Sequence, residues 1–166
     1  MPKTLIINDA NILIDIENAD LTALVFELEY RFAVSDILYQ EEIEPYTSEF
    51  KETALEAIAF DEEANSILLE KIDFYKETAL SRNDIAAMVL AISNECILLT
   101  GEKLLRKTAE DEGLEVHGIL WLTEELFNNG LINIEEIEVS YNKMDQAGSR
   151  LPNNEIEKQL KRFREN

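Results

Sequence analysis

The chain reads as an α/β protein, a three-layer α/β/α sandwich around a small, mostly parallel central sheet with extra helices at its C-terminus. Two observations predict it. Short β-branched apolar runs alternate with stretches whose apolar residues recur at helical spacing. The short runs are also apolar throughout, as in strands buried on both faces, which need helices above and below them.

The elements follow in order. Thr4–Asn8 is the first strand, and Asp9 and Asn11 lead into a helix marked by Ile12, Ile16 and Ala19. Leu21–Tyr30, with Leu24, Phe26 and Leu28, predicts a second helical piece. Phe32–Ser35 is the next strand. Ser35 or Asp36 then caps a helix carrying Ile37, Leu38, Glu41 and Glu42, which Pro45 ends. From Thr47 to Phe60 the pattern is ambiguous, since LEAIAF suits either a helix end or an edge strand. Asp61–Thr78 predicts a helix with Ile67, Leu68, Ile72 and Tyr75 on one face. Ser81-Arg82-Asn83-Asp84 is the strongest helix start: a serine cap, and three residues later an acid that reaches back to the serine amide.

Cys96–Thr100 is a further buried strand, Gly101 turns the chain, and Glu102–Glu112 is a helix closed by Gly113, a residue at ease with left-handed backbone. Glu115–His117 forms a last short strand. Helices over Leu120–Asn128, Ile134–Met144 and Asn154–Arg164 finish the chain. We therefore expect an α/β domain over residues 1–130 and, over 131–166, a helical extension that packs on the domain or on a partner.

Composition narrows the function. The 46% apolar and 30% charged fractions are those of a soluble globular protein, and no apolar stretch approaches bilayer length. The lone cysteine, Cys96, excludes an internal disulfide and fits the cytoplasm. One histidine and one cysteine exclude a His- or Cys-based zinc site, and His117 reads as a strand-end packing residue. No glycine-rich phosphate loop and no Gly-x-Ser-x-Gly elbow is present. The net charge of −20 opposes broad, non-specific nucleic-acid binding. That charge is uneven: residues 1–80 carry 19 acids against 5 bases, and residues 81–166 carry 16 against 10.

Four acids carry the chemistry. Asp9, Glu41, Asp84 and Glu102 each sit where an apolar run hands over to a helix, or within that helix's first turns. In an open α/β sheet these junctions line one edge, so residues distant in sequence share a crevice. Carboxylates crowded there repel one another unless protons or a cation neutralise them. A divalent ion that activates water for phosphodiester cleavage suits such a set. Each acid also has a plainer role: Asp9 as an Asx turn, Asp84 as half of a capping box, Glu41 and Glu102 as acids near helix starts. Glu42 and Glu44 compete with Glu41. Asn11 and Thr100 stand beside the acids and suit orienting them or holding a water. A haloacid-type phosphatase needs a second acid where Asn11 stands, and a receiver domain needs a late strand ending in lysine, which is missing.

The order of these pieces resembles the PIN-domain ribonucleases, especially the bacterial toxin-like branch paired with antitoxins. LIINDANILIDI is similar to the family's opening strand with Asp9 as its acid, SDILYQEE to the second motif with Glu41, and LSRNDIAAMVLAI to the third with Asp84. ILLTGEKLLRKTAEDEGLEVHGILWL resembles the strand, turn and helix that follow, with Glu102 where the family has Asp. The likeness implies a metal-dependent endoribonuclease in which Asp9, Glu41, Asp84 and Glu102 hold Mg²⁺ or Mn²⁺. Asn11 and Thr100 would support them, and Arg82, Lys103, Arg106 and Lys107 would contact RNA phosphates. It also implies an antitoxin partner and a homodimer. The longer Glu102 and the acidic body point to an alternative: a catalytically weakened PIN-like domain acting as a binding or regulatory module.

Overall fold

The computed structural model describes residues 2–45 and 49–165. The chain forms two compact units, residues 1–12 with 29–119 and residues 13–28 with 120–166.

The first unit holds a five-stranded, all-parallel sheet in the order β3-β2-β1-β4-β5. Its strands are β1 (Lys3–Ile7), β2 (Tyr30–Ser35), β3 (Glu56–Ile58), β4 (Ile97–Leu99) and β5 (Val116–His117). β1 lies centrally, with Ile6 opposite Ala33 on one side and Leu98 on the other. This position explains why Leu5, Ile6 and Ile7 are wholly buried. The ambiguous LEAIAF segment resolves as the edge strand β3, paired parallel to β2, while Thr47 and Ser48 lie outside the described residues. Helix α4 (Glu62–Phe74) starts at Asp61, whose carboxylate accepts from the Ala64 amide at 2.8 Å. Helix α5 (Arg82–Ser93) has the expected capping box. Helix α6 (Lys103–Asp111) ends at Gly113, which has a φ of +90°. Ala87, Met88, Leu98, Leu105 and Ala109 pack into one buried cluster.

Helix α1 (Ala10–Asn18) begins in the first unit and runs into the second. The helix expected over Leu21–Tyr30 is only α2 (Thr22–Val25), because Tyr30 is already in β2. Helices α7 (Ile119–Asn128), α8 (Ile134–Gln146) and α9 (Asn153–Glu165) follow. Within the second unit, Gln159 is 5% exposed and doubly held: its Oε1 accepts from the Tyr141 hydroxyl at 2.6 Å and its Nε2 donates to the Leu120 carbonyl at 2.8 Å. The Phe127 and Phe163 rings stack 4.2 Å apart. Arg162 and Arg164 pair with Glu124 and Glu138, so the basic tail is partly neutralised by its own unit. Among the described residues no helix is long and apolar enough to cross a membrane.

Candidate active site

The strand order reverses between β1, which leads to β2 and β3, and β4, which leads to β5. Loops leaving the carboxyl ends of β1 and β4 therefore diverge, which is where open α/β sheets generally take their ligands. Asp9 stands two residues past β1 and Glu102 three past β4.

Asp9 turns the chain into α1, its Oδ1 accepting the Asn11 amide at 2.8 Å. The supporting atom is thus the Asn11 backbone, while its side chain is exposed. Asp84 serves two partners at once. Its Oδ2 accepts the Ser81 amide at 3.1 Å in the capping box, and its Oδ1 accepts from Asn8 at 3.0 Å. The same Asn8 Nδ2 donates to Asp9 Oδ2 at 3.3 Å. Asn8 is 1% exposed and bridges the two aspartates. Its only signal in the sequence is a polar residue at the end of an apolar strand, a signal it shares with Ser35 and Thr100.

Thr100 is fully buried. Its Oγ1 accepts the Glu102 amide at 3.0 Å, and its own amide donates to the His117 carbonyl at 2.9 Å. Glu102 is the residue before α6 rather than part of its first turn, and its side chain makes no capping bond. Partial burial of that carboxyl, then the charges of Asp84 and Asp9, raise its pKa above the ordinary 4.5. His117 binds the Glu115 carboxylate at 2.8 Å.

The second motif departs from the simple helix expected. Ser35 caps α3 (Asp36–Leu38), accepting the Leu38 amide at 3.0 Å, but the chain then widens into a π turn over Tyr39–Ile43. The Glu44 amide closes that turn on the Tyr39 carbonyl at 2.8 Å. A π turn inserts one residue, so it changes which side chain faces a given direction. Glu42, rather than Glu41, is half-buried. Its burial, followed by the charges of Asp9, Glu41 and Asp84, raises its pKa. Glu41 is exposed and acts on the cluster through Glu42.

Asp9, Asp84, Glu102 and Glu42 therefore share one electrostatic neighbourhood. Among the described residues no group of three or more His, Cys, Asp or Glu side chains is spaced to hold a metal ion. In kind, the donors suit Mg²⁺ or Mn²⁺, being hard oxygens, and the buried Glu42 Oε2 and Asn8 Oδ1 have no hydrogen-bond partner. Mg²⁺ commonly takes one or two carboxylates and keeps several waters, so a closed cage is not required.

Bases stand at the same edge. Arg82 opens α5, and Lys103, Arg106 and Lys107 lie on α6, all four exposed. None of them forms an ion pair among the described residues, whereas Arg31, Lys71, Lys76, Lys143, Arg162 and Arg164 each have a carboxylate partner.

Acids gathered at the turning point of a parallel sheet, with bases at the same edge that form no ion pair among the described residues, mark the candidate site of this α/β protein. A family described as PIN domain matches residues 5–165, and the chain belongs to that family. No curated protein matches the sequence. PIN domains as a superfamily are nucleases that commonly use divalent metals, so the α/β fold and the general hydrolytic class expected from the sequence both hold.

Proposed function

We propose that this protein is a metal-dependent endoribonuclease of the toxin type, hydrolysing RNA phosphodiester bonds. The observation that carries the reading is the convergence of Asp9 and Asp84 on Asn8, with Glu42 and Glu102 raised in pKa by burial first and by the charges of those two aspartates after it. Asp9, Asp84 and Glu42 would hold Mg²⁺ or Mn²⁺, with Glu102 beside them and Glu41 outside. When bound, such an ion supplies a more acidic water and neutralises phosphate charge. Asn8 keeps the two aspartates at a fixed separation. Glu102, placed beside the ion and not among its ligands, has a carboxyl that holds a proton more readily than usual and suits accepting and returning one during hydrolysis. An antitoxin partner, a homodimer, cytoplasmic action and a docking role for residues 131–166 belong to the same proposal and rest on the family likeness.

The experiment is cleavage of a labelled RNA with Mn²⁺ by wild type and Asp9→Asn. Cleavage by wild type and none by the variant supports the reading; equal cleavage by both removes it. The absence, among the described residues, of three acids spaced for chelation, with Glu102 in place of Asp, favours a second reading, a PIN-like domain that binds without cutting. That reading expects no thermal shift with millimolar Mn²⁺.

A further inference from the structure

We infer that Arg106 is the side chain that grips a non-bridging oxygen of the substrate's backbone phosphate beside the acid cluster, and that Gly118 is the seat kept bare for it. The inference rests on the nuclease reading and assigns one substrate contact within it. Arg106 lies one turn into α6, its amide donating to the carbonyl of the N-cap residue Glu102 at 3.0 Å. Helical side chains lean toward the N-terminus, which here is the carboxyl edge of the sheet.

The guanidinium comes to rest over Gly118, just past β5. A Cβ at Gly118 would stand 3.0 Å from Arg106 Nη2 and 3.3 Å from the Thr100 carbonyl oxygen. Among the chain's five glycines only this one is crowded. Gly113, Gly130 and Gly148 have positive φ and open space around the missing Cβ. Gly118 has no such backbone, so conformation does not call for glycine there, and close approach of another group does.

The group approaching is an arginine that, among the described residues, has no carboxylate partner in a chain of 35 acids. Its neighbours Thr100 and Glu102 belong to the site. A planar fork lying over Gly118, at the end of β5 and beside the Thr100 carbonyl, suits a phosphate, which accepts two parallel N–H bonds. It also answers the difficulty of the body charge: a polyanion repelled by the surface at large needs a fixed cation at the point of reaction.

The test uses the full chain in the Asp9→Asn background, so that binding of a short fluorescent single-stranded RNA is measured without cleavage. Arg106→Ala is expected to weaken binding about tenfold and to lower the salt dependence by about one phosphate contact. Arg106→Lys should keep the salt dependence and lose part of the affinity. Gly118→Ala should fold at a small cost, because the nearer atom in its way is the end of a flexible side chain and the Thr100 carbonyl has to give by only a few tenths of an ångström. It should weaken binding by displacing that side-chain end. Combined with Arg106→Ala it should add nothing, since both changes remove one contact. In the parent enzyme the same changes should raise KM more than they lower kcat.

Cleavage by wild type, with Arg106→Ala unchanged in affinity and salt dependence, overturns the inference alone. So does an additive effect of Gly118→Ala. A wild type that neither binds nor cuts RNA overturns the nuclease reading, and this inference with it.

Discussion

Two partly buried carboxylates of the first unit, Glu112 and Glu42, show opposite solutions to one problem. Burial by itself would raise the pKa of Glu112. However, Lys71 Nζ lies 2.9 and 2.8 Å from its two oxygens and the Tyr75 hydroxyl donates at 2.7 Å, so the net shift is downward. The same contact, with burial first, pushes Tyr75 up to about 12. Glu42 is buried in part and, among the described residues, the charges acting on it are those of Asp9, Glu41 and Asp84, so its pKa goes up. The first carboxylate is neutralised by the protein's own lysine and serves the fold. The second has no such partner among the described residues, the pattern that the proposed metal-binding role expects.

The contrast can be broken in four ways. The largest effect is expected at Asn8. Asn8→Ala frees Asp9 and Asp84 to move apart, and metal-dependent RNA cleavage should fall about 10- to 100-fold. Next comes the choice between neighbours. Glu42→Gln should reduce cleavage by an amount comparable to Asn8→Ala, and Glu41→Gln by less than about threefold, an exposed residue acting through a screened charge. Equal losses in the two glutamine variants would contradict the inward position of Glu42.

On the structural side, Lys71→Met leaves Glu112 without its cation. Urea unfolding should register a loss of about 1–2 kcal/mol, below the value for a fully buried pair because both partners keep some solvent access. The smallest effect concerns pH. A raised folded pKa means that the folded protein takes up the Glu42 proton first. Without metal, stability at Glu42 should therefore improve as pH falls from neutrality through the raised pKa toward 4.5. Glu112 has the reverse sign, its contribution being lost as pH falls below 4.5 and through its lowered pKa. Glu42→Gln should stabilise the metal-free protein at pH 7 by about 0.5 kcal/mol and flatten the Glu42 part of the profile, read from thermal melts.

Much of the fold is legible in the sequence because its strands are local and their signal is coarse. TLII, FAVS and ILL are apolar on both faces, and only a sheet covered on both sides uses such runs. The capping box at Ser81 and the Gly113 stop are equally plain, since each rests on one bond or one φ value. What stays hidden depends on contacts far along the chain. Leu21–Tyr30 has helical spacing, yet Tyr30 and Arg31 pair with Lys3 and Thr4 and cut that helix short. Asn8 looks like a strand end until Asp84 is folded against it, 76 residues away. Asn133 forms a second capping box with Glu136 that is harder to see, because its helix start lacks Ser or Thr. Among the site acids, position marks Asp9 and Asp84, but the choice between Glu41 and Glu42 hangs on one hydrogen bond that closes five residues back rather than four.

That wide turn has a consequence for how this region tolerates change. A helix with one spare residue sits between two registers, and losing a single position would restore the ordinary pitch. Deleting Gln40 is therefore expected to remove that spare residue and leave the adjoining strand and the Ser35 cap in place. A one-residue deletion, ruinous at most interior positions of a helix, should thus cost little stability here, which a thermal melt of the variant would read.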